Sequence, residues 1–450
     1  MRMAAGKLLA VYKILKRAAS KSGSRPFCFN SLFISNSMQW NDAQERYELG
    51  HLALEDLVQE FGSPLFVYDS EKIKSQFFKM EQALSACPSV KINYACKALS
   101  NLTILKLLRS LGAGLDAVSY QEIKLGLAAG FAPNDIIYTP NSVGAEELEA
   151  ALSLGVKLNI DNIEMLEYLG HKYPDQGFCI RVNPHIMAGG NAKISVGHID
   201  SKFGISIHQM PLVERIVNSL NLNIEGVHMH TGSDILNVEV FSMAADILFN
   251  IVRKFDTVRY VDLGSGFKVK YKESDIETDM EEFGQEISQR FNALCEELGR
   301  ELTLMFEPGK YLVSESGCFL AQSNVIKQTI STIFVGIDSG FNHLIRPMFY
   351  DAYHEIVNVS NPTGKPKIYT VVGYICETDT FGYNRKLSEV REGDILAFKN
   401  AGAYCFSMAS NYNSRYRPAE VLLHEGKAYL IRKRETFEDL IRLQTDLAIF

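Results

Sequence analysis

The sequence has no C-x-x-C pair among its eight cysteines, which are spread from Cys28 to Cys405. That spacing offers neither a zinc knuckle nor a redox dithiol. Eight cysteines in 450 residues are too sparse for a disulfide scaffold, and reduced thiols in the cytoplasm are the simple reading. No apolar run reaches the length of about eighteen residues that a transmembrane helix needs, so no membrane partner is expected. A basic excess is missing too. The net charge is −7 and the pI about 5.9, whereas a nucleic-acid partner demands a basic face. Acidic residues are absent up to Gln39, while Arg2, Lys7, Lys13, Lys16, Arg17, Lys21 and Arg25 are basic. With Leu8, Leu9, Val11, Tyr12 and Ile14 on one apolar face, this stretch has the pattern of a transit peptide. The simpler reading is a non-homologous start ahead of Met38, and residues 1–37 are set aside as an N-terminal extension.

What is present is a rhythm. Short apolar runs at 90–95, 114–119, 136–140, 157–161, 178–183, 224–230, 259–264 and 303–307 alternate with helical patterns such as 102–111, 120–129, 145–154 and 241–254. Strands buried on both faces need continuous apolar runs of this kind. Eight such repeats predict a parallel (β/α)8 TIM-type barrel over 86–310. After Pro308 the long helices stop. Runs at 311–325, 332–337, 367–375, 394–399 and 420–430 predict a C-terminal all-β domain, a β-barrel or sandwich, over 311–450. The segment 38–85, with its run at 65–69, is expected to lend that domain a strand. No low-complexity linker separates the parts, so they are expected to pack firmly together.

Function in such a barrel sits at the C-terminal ends of the strands. The first run ends at Lys97, placed either to act as a Schiff-base amine or simply to reach solvent. The sixth ends in His228 and His230, which point to the same side and read equally as metal ligands or as hydrogen-bonded core histidines. The seventh ends in Gly264-Ser265-Gly266, either an anion cradle or a tight turn. The eighth ends in Glu307-Pro308-Gly309-Lys310. Phosphate sites recur in the loops after strands seven and eight of this fold, and a carboxylate beside them suits a protonated pyridine nitrogen.

These motifs occur in order: YACKA at 94–98, GVHMHTGS at 226–233, DLGSGF at 262–267 and EPGK at 307–310. Together they resemble the fold-type III pyridoxal-phosphate-dependent decarboxylases. SKFGI at 201–205, DSGFNHLIRPMFYDAYHEI at 338–356, VVGYICET at 371–378 and GAYCFSMASNYNSR at 402–415 are similar to the diaminopimelate decarboxylase branch of that family. The resemblance runs from about residue 50 to near 430. It implies pyridoxal 5'-phosphate as cofactor and decarboxylation of meso-2,6-diaminopimelate to L-lysine. By this resemblance Lys97 binds the cofactor covalently, His230 stacks on its ring, and Glu307 pairs with its ring nitrogen. Gly264, Gly266 and Gly309 cradle the phosphate, with Ser233 as a nearby polar contact. Tyr404 touches phosphate and substrate, and Lys310 does the same. Cys376 is the proton donor, and Arg346, Tyr350 and Glu377 hold the far amino-acid end of the substrate. No metal is expected. The resemblance also implies a homodimer whose active sites are shared, Cys376 and Glu377 reaching into the partner's barrel.

Each assignment has a plainer counterpart. Cys376 sits in an apolar run and reads as inert core; Arg346 and Glu377 read as an ion pair at a surface or interface. Sister enzymes acting on ornithine, arginine or carboxynorspermidine remain as alternatives, as do a metal-dependent hydrolase using His228 and His230 and a non-catalytic regulatory relative. A second substrate carboxylate and ammonium call for a cation and an anion together, which Arg346 and Glu377 supply. Three positions depart from the family pattern: Lys310 stands for an arginine, and Ser265 and Cys405 each stand for a glycine. Lysine keeps the charge but loses the bidentate fork.

Overall fold

The computed structural model describes residues 38–186, 201–230, 232 and 234–447. The expectations for residues 1–37 and for Ser233 fall outside them. Eight parallel strands form a closed barrel: Val90–Ala95, Gly114–Ala117, Ile136–Tyr138, Lys157–Ile160, Gly177–Asn183, Asn223–Met229, Tyr260–Asp262 and Thr303–Phe306. They pair in chain order, and the eighth returns to the first through Leu304↔Val90 and Phe306↔Ile92. All eight runs predicted for the barrel contain a strand, and their inward and outward side chains are mostly buried. Five of the helices between them begin on polar caps. Asn101, Ser119, Asn162, Asn237 and Asp279 each accept a backbone N–H of the helix that follows, a device worth about 1 kcal/mol per helix. The caps fix where each strand-end loop stops, and so where its functional side chain stands.

The second part is a mostly antiparallel sheet. Its spine, Gly317–Gln328, pairs with Leu65–Asp69, Ile333–Ile337 and Ile395–Phe398. Leu65–Asp69 also pairs with Ala419–His424, so a strand that precedes the barrel lies inside the sheet that follows it. Its alternation explains the placement. Leu65 and Val67 enter one core with Leu57, Leu320 and Val421, while Phe66 and Tyr68 enter the core shared with the barrel. Glu420, fully buried, accepts from Tyr68 Oη at 2.8 Å and from Asn101 Nδ2 at 3.0 Å. The cap of the first barrel helix is thereby tied to the β sheet.

Some predicted strands differ. Residues 311–313 belong to a short helix, Lys310–Val313, and the strand starts only at Gly317. An apolar run of three is buried there by either geometry, so composition does not decide between them. The run 420–430 is a hairpin, Ala419–His424 and Lys427–Arg432, that turns at Glu425 and Gly426 with positive φ. The run from 367 ends as a strand at Val372. Among the described residues, no helix is long and apolar enough to cross a membrane.

Candidate functional site

The strand ends converge as a ring of polar side chains in an apolar wall. Lys97 lies in a 3-10 turn, Cys96–Ala98, directly after the first strand. Protein surrounds it, yet it retains accessible surface, as a side chain standing in an open cavity does. Burial pulls its ammonium down, but Tyr404, Asp116 and Glu307 together outweigh this and hold its pKa above the ordinary lysine value. Opposite it stand the carboxyls. Burial pushes Glu307 up to about 7 against the pull of Lys97 and Arg181. It does the same to Asp116, also to about 7, with Glu307 adding repulsion. Asp262 is raised as well, by burial and then by Glu307.

Glu307 is held from two sides. His228 Nε2 lies 3.0 Å from Oε2, and Thr139 Oγ1 donates to Oε1 at 3.5 Å. Thr139 Oγ1 in turn accepts from Asn159 Nδ2 at 2.9 Å. Burial, then the charges of Arg181 and Lys97, drive His228 far below its usual range, so the imidazole is neutral. Asp116 Oδ1, Asp262 Oδ2 and His228 Nδ1 are buried without a protein partner. His230 is also neutral, through burial first and Lys97 next. Its Nδ1 accepts the Ser265 N–H at 3.2 Å.

The glycines are set by close approach. Gly264 has φ +63, and a Cβ there would lie 2.6 Å from Met229 O and 2.7 Å from His230 Nδ1. Gly266 at φ +138 leaves 2.6 Å to Gly232 O. A Cβ on Gly309 would stand 3.3 Å from Tyr404 Oη. Tyr404 comes from the β sheet side; its N–H bonds Ala98 O at 2.9 Å, so the loop around it is clamped to the turn that carries Lys97. Lys310 Nζ is engaged by the Asp234 carboxylate.

Lys97, His230, Gly264, Gly266, Glu307, Gly309 and Tyr404 are thus brought together, and Arg346 is near enough to act electrostatically on Tyr404. Arg346 is buried and donates to Tyr271 Oη at 2.6 Å. Tyr350 ends the same short helix, Arg346–Tyr350, half-buried. Cys376 and Glu377 stand apart. The expected apolar strand around Cys376 is an exposed loop: beyond Val372 the backbone turns at Gly373, where a Cβ would meet Asp379 Oδ2 at 2.1 Å. Cys376 Sγ exchanges hydrogen bonds with the Asn413 carboxamide, and Glu377 accepts from Tyr412 Oη. Neither bonds a barrel residue among the described ones. Glu377 does not pair with Arg346, so the plain ion-pair reading of those two fails within one chain.

The sequence reading passed over Asp116, Thr139, Asn159, Arg181, Asp262 and Tyr271. A signal existed for several: a charged or amide side chain inside a continuous apolar strand either faces the barrel mouth or is unaccounted for. His228 and His230 do not converge as a metal pair. The ligand atoms of His228, Asp262 and Glu307 do lie within 4.8 Å of one another, but raised carboxyls and hydrogen bonds account for that cluster. The donor set fits pyridoxal phosphate. It offers an accessible amine, a carboxyl that holds a proton near neutrality, a neutral imidazole face, and backbone N–H groups at glycines.

Comparison with known proteins agrees. Residues 70–314 match the family model described as the pyridoxal-dependent decarboxylase, pyridoxal binding domain. The diaminopimelate decarboxylase of Methanothermobacter thermautotrophicus is 39% identical over 399 residues, 86% of this chain and 93% of that protein. That of Campylobacter jejuni is 38% identical over 401 residues, 86% and 97% of the two chains. The crystal structure of diaminopimelate decarboxylase from Helicobacter pylori complexed with L-lysine superposes with a TM-score of 0.78 at 34% identity, covering 86% of this chain and 98% of that one. Matched over most of its length by these proteins, the chain belongs to the diaminopimelate decarboxylase family of pyridoxal-dependent decarboxylases.

Proposed function

We propose that the protein decarboxylates meso-2,6-diaminopimelate to L-lysine and CO2, as a cytoplasmic homodimer acting on a small molecule. The observation that carries this is Lys97, standing accessible between the raised carboxyls of Asp116 and Glu307 in a chain that matches diaminopimelate decarboxylases over most of its length. Pyridoxal phosphate, when bound, supplies the electron sink for the pair left at Cα as the carboxylate departs. The barrel, residues 86–310, holds it. Lys97 Nζ makes the covalent link, the N–H groups around Gly264, Gly266 and Gly309 take the phosphate, and Lys310 and Tyr404 lie beside them; by the family resemblance Ser233 is a further polar contact.

The chain's own groups manage the protons. Lys97 rests protonated and must lose a proton before its nitrogen can attack a carbonyl; Asp116, with a free Oδ1, is the base beside it. Glu307, raised to about 7, would present a proton to a pyridine nitrogen, and neutral His228 keeps the carboxyl oriented. The flat, neutral His230 excludes water from one face. Arg346 takes the distal carboxylate, with Tyr350 beside it. Cys376 returns a proton to Cα after CO2 leaves, and Glu377 takes the distal ammonium. These last two belong to the exposed loop of one protomer and serve the barrel of the other.

The test is a substrate panel. Holoenzyme is given meso-diaminopimelate, ornithine, arginine and carboxynorspermidine, and products are resolved by chiral chromatography. L-Lysine should form from diaminopimelate at least about a hundredfold faster than any amine from the others, because a site built for a polar end group rejects ligands that lack it. Preference for ornithine or arginine would overturn the assignment.

A further inference from the structure

Arg346 is a buried guanidinium without a carboxylate. It is 8% exposed. Its contacts are Tyr271 Oη at 2.6 Å, the face of the same ring at 4.9 Å, and the Cys405 thiol; among the described residues no acidic group pairs with it. Burial pushes Cys405 up to about 11 even against the attraction of Arg346, so the thiol stays uncharged. Behind Tyr271 lies His354, edge-on at 5.5 Å. Burial and Arg346 hold His354 down at about 3, and its Nδ1–H donates to Lys399 O at 2.8 Å. The guanidinium is therefore gripped by groups that orient it and leave its charge unneutralised. An uncompensated buried cation is costly, and that cost is offset only when an anion arrives.

The grip is directional. Arg346 Nη1 donates to Tyr271 Oη, which leaves the phenol proton for Ser314 Oγ at 3.2 Å. Ser314 is fully buried and its carbonyl accepts from Gly402 N at 3.1 Å. Tyr271 stands in the loop after the seventh barrel strand and Arg346 in the β part, so one hydroxyl fixes the angle between a barrel loop and the carboxylate reader. We propose that Tyr271 is the positioning and specificity-determining residue for the distal carboxylate: it holds the free edge of the Arg346 guanidinium toward the substrate. This rests on the reading of Arg346 given above.

The experiment uses holoenzyme and two competitive ligands. L-Lysine keeps the distal carboxylate; cadaverine lacks it. Tyr271→Phe retains the ring and removes the hydroxyl. It should weaken L-lysine inhibition and raise the KM for diaminopimelate about tenfold, the scale of one charge-assisted hydrogen bond, while kcat changes much less and cadaverine inhibition holds. Ser314→Ala, which loosens the same hydroxyl from its other side, should shift L-lysine in the same direction by a smaller factor, so a poorly folded Tyr271 variant does not end the test. Unchanged L-lysine inhibition in both variants, or equal weakening toward cadaverine, would overturn the proposal. Arg346→Gln separates the two readings. If it leaves L-lysine inhibition unchanged, the carboxylate-reader assignment fails; if it abolishes inhibition while Tyr271→Phe does nothing, the positioning role alone fails.

Discussion

Three carboxyls, Asp116, Asp262 and Glu307, crowd the barrel mouth against Lys97 and Arg181, and burial raises all three. Their pKa values in an unfolded chain are about 4. A folded value near 7 means the native state holds more protons than the unfolded one between those limits. The stability linked to Asp116 and Glu307 is therefore full below about pH 4 and lost as pH rises through about 7. Asp116→Asn removes one such group. In the cofactor-free protein its unfolding free energy should gain on the wild type as pH rises from about 4 toward 8, by a margin on the order of 4 kcal/mol. Equal pH profiles of the two proteins would show that Asp116 is not strained. Arg346 carries the other residue-scale expectation. Arg346→Lys keeps the charge but not the planar fork, and should raise the KM for diaminopimelate about tenfold or more; an equal loss on residual lysine decarboxylation would mark it as structural. Lys97 and Glu307 stood out in the sequence because each follows an apolar run at once. Asp116 and Arg181 did not, because a charge within such a run announces no chemistry until the barrel shows which way it faces.

Among the elements, the barrel strands were the most legible. A barrel strand packs on helices outside and on the other strands' side chains inside, so its run is mostly apolar, as in 178–183, where Arg181 and Asn183 are the exceptions. The β part was less so. Thr380–Leu387, with Asn384, Arg385 and Lys386 in it, was not among the predicted runs; its pairing with Lys367–Val372, not its composition, makes it a strand. The loop after strand seven gives the element-scale prediction. Gly264→Ala places a methyl against Met229 O and the His230 ring at a φ that resists side chains. The loop must shift, and the phosphate cradle with it. Affinity for pyridoxal phosphate, followed by the absorbance of the bound cofactor, should fall about tenfold or more, while the circular dichroism of the barrel is kept. Full affinity would mean that this loop does not hold the phosphate.

For the molecule as a whole, the telling feature is what a single chain leaves outside. Lys97, His230 and Glu307 lie in the barrel mouth, whereas Cys376 and Glu377 are exposed and, among the described residues, hydrogen-bond to Asn413 and Tyr412. The proton donor proposed at Cys376 faces solvent in one protomer; a two-fold partner would bring its barrel to that loop, and an isologous dimer would make two such composite sites. The direct measurement is the formation of L-lysine from meso-diaminopimelate by mixed inactive subunits. Lys97→Ala and Cys376→Ala should each be nearly inactive alone. After subunit exchange, random pairing makes about half the dimers mixed, and each mixed dimer has one site with both lesions and one intact, so roughly a quarter of wild-type activity should return. If tagged subunits show exchange and no L-lysine forms, the site is not built from two chains, and the assignment of Cys376 as its proton donor falls with it.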